Sequence, residues 1–322
     1  MQAKGSKLSS PTQTDIVILG AGFIGLSFAA AFSDAGTRVT LADPDASRRD
    51  AAPKGLRAQR EAIGLAGLAR GQDGTVAVVE TPDAALSTAC LIIECGPEHL
   101  ETKQAIFADL LAKAEDNAVL ATASSAIPMS RIVSDERQQA RCLVAHPVNP
   151  PAVLRIVELC PAPGTTARTM ARAADLFGTV GFRSATLGHE IEGFILNRLQ
   201  GAVLREAYRL VSEDVASPED IDAIMRLGLG PRWAMSGPFE TVELNTPGGI
   251  TAHADRMGPA YKRMGEERGE TVEWTAPLIA RVAASREAAR GGVSIEDRAR
   301  WRSGAVARLV AFRDGLMDEA DD

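Results

Sequence analysis

Asp15-Ile16-Val17-Ile18-Leu19-Gly20-Ala21-Gly22-Phe23-Ile24-Gly25 is the stretch that decides the fold. Ile16 to Leu19 is a short unbroken apolar run, the pattern of a strand buried on both faces. Gly20 to Gly25 then reads G-x-G-x-x-G, and Phe23 to Ala35 has helical character that Gly36 ends. The glycine pattern alone is weak, but between a strand and a helix each glycine has a physical task. Gly20 allows the tight turn, Gly22 lets the backbone approach a pyrophosphate, and Gly25 lets helix and strand pack closely. Phe23 and Ile24 open the helix, whose amino terminus faces the negative phosphates. Arg38 to Ala42 is a second strand, and Asp43 follows it, 23 residues after Gly20. A carboxylate there accepts hydrogen bonds from both ribose hydroxyls and repels a 2′-phosphate, and Asp45 adds to the repulsion. The cofactor expected is therefore NAD rather than NADP.

Outward from this unit the alternation continues. Thr75 to Val79, Leu91 to Glu94, Ala118 to Ala121, Arg141 to Ala145, Ile156 to Cys160 and Arg183 to Thr186 read as strands. Ala46 to Arg70, Glu98 to Ala114 and Thr166 to Phe177 read as helices between them. Such alternation predicts a mostly parallel sheet with helices on both faces, an α/β Rossmann-type domain. After about Gly188 the strands stop. Glu192 to Ser212 reads as one long helix, Pro218 begins another after the cap residue Ser217, and Met257 to Arg268, Ala276 to Arg290 and Ile295 to Met317 follow. The expected organisation is a disordered tail over residues 1–14, an NAD-binding domain over 15–190 and an all-α substrate and dimerisation domain over 191–322.

Composition narrows the function. The chain has 322 residues, 45% hydrophobic and 24% charged, which suits about two globular domains and excludes a disordered or disulfide-scaffold protein. Its 35 basic and 42 acidic residues give −7, the wrong sign for general nucleic-acid or anionic-membrane binding. Cys90, Cys95, Cys142 and Cys160 form no CxxC pair and have no zinc-finger partners, so buried thiols in a reducing compartment and no metal are expected. Met1 to Thr14 is polar without a signal-peptide core, and no apolar run approaches the ~20 residues of a membrane span. These readings point to the cytoplasm.

His146-Pro147-Val148-Asn149-Pro150-Pro151 follows a predicted strand, and Glu158 lies inside the next one, between Val157 and Leu159. A buried carboxylate needs a partner, and a neighbouring loop carrying His146 would supply it. The imidazole could then take a proton from a hydroxyl while the carboxylate steadies the positive charge.

HPVNPP followed by VELCP resembles the 3-hydroxyacyl-CoA dehydrogenase superfamily. More narrowly it is similar to the lambda-crystallin branch, whose enzyme activity is L-gulonate 3-dehydrogenase. The resemblance continues through Gly193 to Gln200 (GFILNRLQ), Gly228 to Asn245 (GLGPRWAMSGPFETVELN) and Arg300-Trp301-Arg302. It implies His146 as catalytic base, Glu158 as its partner, Ser125 on the reacting oxygen and Asn197 holding substrate near His146. It further implies that Asn149 lines the nicotinamide pocket, that Glu98 and Lys103 touch the cofactor, and that the protein is a homodimer. Without it, Glu98 and Lys103 would read as a solvated helix start pairing its charges, and Ser125 as an ordinary cap before Ile127.

The expected substrate is a small anion. Acyl-CoA relatives are rich in Lys after the second strand, whereas residues 46–70 hold only Lys54 of the chain's six lysines. Arg also binds phosphate, so an acyl-CoA substrate stays open. Arg232, in Pro231-Arg232-Trp233, is read as a fork for a substrate carboxylate, against the plainer reading of a helix cap or an interface residue. Trp233 could face a quaternary ammonium, but three Trp and two Tyr in the chain make a full cage for a carnitine-type substrate a minority reading. A crystallin-like structural role is the non-enzymatic alternative.

Overall fold

The computed structural model describes residues 15–269, 275–298, 301 and 312. The tail over 1–14, most of the helix expected over 295–317, and Arg300 and Arg302 lie outside the described residues.

Eight strands form one sheet: β1 (Asp15–Leu19), β2 (Arg38–Ala42), β3 (Thr75–Val79), β4 (Leu91–Glu94), β5 (Val119–Thr122), β6 (Cys142–Pro147), β7 (Ile156–Pro161) and β8 (Arg183–Thr186). Their order is β3-β2-β1-β4-β5-β6-β7-β8. All neighbours are parallel except β6 and β7, which run antiparallel. Between strands lie α1 (Phe23–Asp34), α2 (Ala46–Leu65), the short α3 (Asp83–Leu86), α4 (Leu100–Lys113), the short α5 (Met129–Ile132) and α6 (Ala167–Thr179). The central strands alternate between two cores. Ile16, Ile18, Leu91 and Ile93 join one, while Val17, Ile92, Leu120 and Val144 join the other. Burial on both faces is why these strands read as continuous apolar runs.

Phe28 and Phe32 of α1 meet Phe177 of α6 and Phe182, with the Phe28 ring 5.9 Å from Phe177 and 5.7 Å from Phe182. This cluster clamps the helix that follows the glycine turn onto the sheet.

Helices α7 (Leu196–Ser212), α8 (Pro218–Ala223), α9 (Gly230–Leu244), α10 (Gly249–Glu267) and α11 (Ala276–Arg290) follow. The chain divides into two compact units at Val203/Leu204, inside α7. In the second unit a π-helical stretch, Ile224–Leu229, leads into α9, which breaks at Gly237, where φ is 59°. Glu243 of α9, almost fully buried, pairs with Arg286 at 3.2 Å and Arg290 at 3.1 Å and so ties α9 to α11.

Three expectations shift. His146 sits in β6 rather than in a loop after it. The helix expected from Glu192 starts at Leu196, because Gly193 (φ 77°) and Phe194 (φ 49°) take left-handed conformations that a helix cannot contain. Gly230 to Leu244, rich in Gly and Pro and not among the expected helices, is helical.

Replacing Phe28 with Ala should cost about 3–5 kcal/mol by chemical denaturation, and a loss under ~1 kcal/mol would show that the cluster does not hold α1.

Candidate active site

The glycine turn leaves the first strand at its carboxyl end. Gly20 has φ 107°, and a Cβ there would lie 2.7 Å from the Cys95 carbonyl oxygen. A Cβ on Gly25 would sit 1.9 Å from the Gly20 oxygen, so helix and turn touch backbone to backbone. A Cβ on Gly22 would meet nothing within 4 Å, which leaves open space in front of the turn. The start of α1 has no side-chain cap and no acid in its first turn. Its N–H groups are thus open to an anion, and the turn fits a pyrophosphate. Phe23 is exposed beside this space and Ile24 half-buried.

Asp43 follows β2 and is buried. Its Oδ2 accepts the Ala21 N–H at 2.8 Å and its Oδ1 the Asp45 N–H at 2.9 Å. Each oxygen keeps a second lone pair, so the residue both braces the turn and can still accept from a ribose.

His146 and Glu158 face each other in the antiparallel register of β6 and β7. Directly opposed residues share a sheet face, and here Nδ1 of His146 lies 2.7 Å from Oε2 of Glu158 with both side chains buried. The other carboxylate oxygen, Oε1, accepts the N–H groups of Ile195 at 2.7 Å and Leu196 at 2.9 Å. These are the entry residues of α7, so Glu158 caps that helix from another strand. Burial resists ionisation of Glu158. The bonds from His146, Leu196 and Ile195 together outweigh it and hold the carboxyl below its usual range. An ionised Glu158 makes Nδ1 the donor, which leaves the lone pair of His146 on Nε2. Phe194, fully buried, packs its ring 5.5 Å from the imidazole.

The turn after β5 carries Ser124 and Ser125. Ser124 is buried and donates its hydroxyl to Glu98 Oε1, which also accepts the N–H groups of Ser125 and Ala126, each at 3.1 Å. Ser125 is exposed, and its hydroxyl makes no hydrogen bond among the described residues. Its carbonyl accepts from Asn197 Nδ2 at 2.8 Å. The structure thus brings Ser125 and Asn197 together. Asn149 is exposed, just beyond the end of β6. Glu98 is held below the usual carboxylate range because Ser124, Lys103 and Ala126 outweigh the cost of its partial burial.

Lys103 does not project toward solvent as a cofactor contact would. It is 1% exposed, and its ammonium lies 2.8 Å from Glu94 Oε2 and 3.5 Å from Glu98 Oε2. Sequence reading missed Glu94. The signal was available: an acid closing the apolar strand Leu91-Ile92-Ile93-Glu94 poses the same problem as Glu158 between Val157 and Leu159.

All four cysteines are free. Burial pushes the Cys142 thiol up to about 12 and the Cys160 thiol up to about 11, so neither is a nucleophile near neutral pH. Arg232 lies on α9 in the second unit, half-buried, and its carbonyl accepts the Ser236 hydroxyl at 2.9 Å. Among the described residues nothing pairs with its guanidinium. No helix of the described residues is long and apolar enough to cross a membrane.

Residues 15–187 match the family model described as 3-hydroxyacyl-CoA dehydrogenase, NAD binding domain, and residues 193–293 match that described as 3-hydroxyacyl-CoA dehydrogenase, C-terminal domain. The chain is 36% identical over 309 residues to a lambda-crystallin homolog of Bos taurus, covering 94% of this chain and 96% of the relative. It is 31% identical over 308 residues to an L-carnitine dehydrogenase of Streptomyces coelicolor, covering 95% and 96%. It shares its fold with the solved 3-hydroxyacyl-CoA dehydrogenase of Archaeoglobus fulgidus, at a TM-score of 0.70 and 21% identity over 94% of this chain and 99% of that one. Matched by both halves of one family's model, and with a glycine turn shaped for a dinucleotide, the chain belongs to the 3-hydroxyacyl-CoA dehydrogenase family and is an NAD-dependent oxidoreductase.

Proposed function

We propose that this enzyme oxidises the 3-hydroxyl of a small hydroxy acid, L-gulonate-like, to the 3-keto acid, with His146 as general base. The observation that carries this reading is the 2.7 Å bond from His146 Nδ1 to a carboxylate that is itself pinned by two backbone N–H groups. It supports one tautomer, with Nε2 ready to accept a proton.

Gly20, Gly22, Phe23, Ile24, Gly25 and Asp43 are the residues that would hold NAD, with Glu98 and Asn149 nearer its reactive end. NAD, when bound, supplies the hydride acceptor. The substrate carbon gives up a hydride and its hydroxyl gives up a proton, so the C–O bond becomes a carbonyl and two electrons leave. Nε2 of His146 takes the proton. The imidazolium that results is stabilised by Glu158, which stays ionised because its burial is outweighed by its three donors. The Ser125 hydroxyl donates to the substrate oxygen, and Asn197, anchored on the Ser125 carbonyl, orients it.

A free hydroxy acid also presents a carboxylate, and Arg232 is the residue we assign to it. The match to lambda-crystallin proteins along most of their length supports a hydroxy acid. The L-carnitine dehydrogenase relative supports a quaternary-ammonium substrate as the second reading. Trp233, half-buried, is the aromatic face available to it. Exposed apolar side chains in the second unit, among them Tyr208, Ile224, Leu227 and Phe239, support a homodimer. The disulfide-free cysteines support a cytoplasmic setting.

NADH formation across 3-hydroxy acids, L-carnitine and short 3-hydroxyacyl-CoAs tests the reading, and turnover confined to the CoA thioesters would overturn it. His146→Ala should lower kcat/KM by roughly 10²–10⁴ while the Kd for NAD stays within about twofold, and near-normal turnover would remove His146 as the base. Arg232→Met should raise KM for the acid by about tenfold or more, the loss of a charge-assisted pair, and a change within about twofold would show that the carboxylate binds elsewhere.

Glu158 also makes a pH prediction. A carboxyl whose folded pKa is depressed adds stability above its unfolded pKa, about 4.3, and that stability disappears as pH falls through the folded value. Glu158→Gln should therefore be less stable than wild type near neutrality, with a gap that narrows below about pH 4 in denaturant titrations. A gap that stays constant across this range would mean that Glu158 is not held in its charged form.

A further inference from the structure

Glu94 closes β4 and is fully buried. Its Oε1 accepts the Gly96 N–H at 2.6 Å and Lys103 Nζ at 3.0 Å. Its Oε2 accepts Lys103 Nζ at 2.8 Å and the Thr122 hydroxyl at 2.6 Å. These contacts fill the four acceptor directions of a carboxylate. No direction is left over for substrate or cofactor, yet the residue is joined to both halves of the site.

One branch runs to the nucleotide turn. Gly96 N–H holds the Cys95–Gly96 backbone to Glu94, and the Cys95 carbonyl is the surface against which Gly20 lies. The other branch runs to the serine turn. Thr122 Oγ1 gives its proton to Glu94 and accepts the Ser124 N–H at 3.2 Å. Glu98 holds the next two N–H groups, of Ser125 and Ala126, and Ser124 Oγ accepts that of Ile127 at 2.8 Å. Four successive amides, 124 to 127, are therefore fixed by Thr122, Glu98 and Ser124.

Charge couples the branches. Lys103 is buried and needs a counter-ion, and two carboxylates compete for it. Glu98 is 42% exposed and lies 3.5 Å away through Oε2, while its Oε1 holds the serine turn. Glu94 is fully buried and makes the closer contact, at 2.8 Å. By satisfying Lys103 at the end of β4, Glu94 leaves Glu98 free to spend its other oxygen on the serine turn.

We propose that Glu94 is a positioning residue for the Ser124–Ile127 turn, acting through Thr122 directly and through Lys103 on Glu98. Its catalytic consequence rests on the function proposed above, since this turn carries Ser125 and anchors Asn197.

Hydrogen exchange and steady-state kinetics on the full-length protein test it. In Glu94→Gln and in Thr122→Val, the amides of residues 124–127 should exchange about tenfold or more faster, with those of β1 and β6 unchanged. Thr122→Val cuts only the branch to the serine turn, so kcat should fall about tenfold while the Kd for NAD stays within about twofold. Thr122→Ser keeps the hydroxyl and should restore both exchange and kcat, a rescue that a packing role would not give. Exchange at 124–127 within about twofold of wild type in folded Thr122→Val overturns the proposal. If Glu94→Gln does not fold, the two Thr122 variants still decide. Wild type that turns over no hydroxy acid would refute the function and leave the exchange result to judge the positioning by itself.

Discussion

A carboxylate taken out of water must be given donors, and most of the active site follows from how Glu158 gets them. Two of its three come from backbone N–H groups at the entry of α7, and the third from His146. The backbone pair can reach it only because Gly193 and Phe194 hold left-handed conformations that aim the start of α7 at the sheet. A non-glycine residue at positive φ is costly, and Phe194 has its ring buried against His146, so packing offsets that cost. The same short segment thus ionises the carboxylate, orients the imidazole and shields it from water on one side.

The reversal of strand direction between β6 and β7 is what makes this arrangement possible. In a wholly parallel sheet, residues at the carboxyl ends of adjacent strands come from distant connections. Here a short connection after Pro147 brings β7 back antiparallel, so its early residue Glu158 lies opposite His146 near the end of β6. The His146–Glu158 pair therefore sits on a strand ladder at the same end of the sheet as the glycine turn. The turn after β5 carries the exposed Ser125, whereas His146 and Glu158 are held within the strands.

The strands were legible because central strands are apolar throughout and bounded by turn residues, and the glycine turn because its neighbours confirmed it. Pro147 lacks a donor and suggests a break that places His146 in a loop, yet the ladder runs on to Pro147. The start of α7 is hidden for a different reason. Ile191, Phe194, Ile195 and Leu199 have helical spacing, and nothing in a Phe side chain announces a positive φ. Gly193 was the one local warning. Gly230 to Leu244 hid its helix behind Pro231, Gly237 and Pro238, and the backbone does break at Gly237. Charge pairings between a strand end and a neighbouring helix are the least legible class. Glu94, Lys103 and Glu98 lie within ten residues, but their burial depends on a sheet and a helix start that no single window contains.

The pairing of buried Lys103 with Glu94 and Glu98 changes where positive charge must come from. Glu94, Lys103 and Glu98 sum to −1, so the lysine beside the nucleotide turn is already neutralised and offers little attraction to an anion. With a net charge of −7 across the chain, long-range attraction of an anionic substrate is also weak. Recognition of anions must then be local and directional. For a pyrophosphate, the uncapped N–H groups at the start of α1 suffice, since a helix terminus carries partial positive charge without any side chain. A carboxylate needs a fork, and an arginine whose guanidinium is not consumed by a neighbouring acid is better suited than a buried lysine held by two. By this argument, the scarcity of lysine matters less than the company each cation keeps. Lys103 spends its charge inside the protein, on Glu94 and Glu98, and under the function proposed above ligand recognition falls to backbone dipoles and arginine.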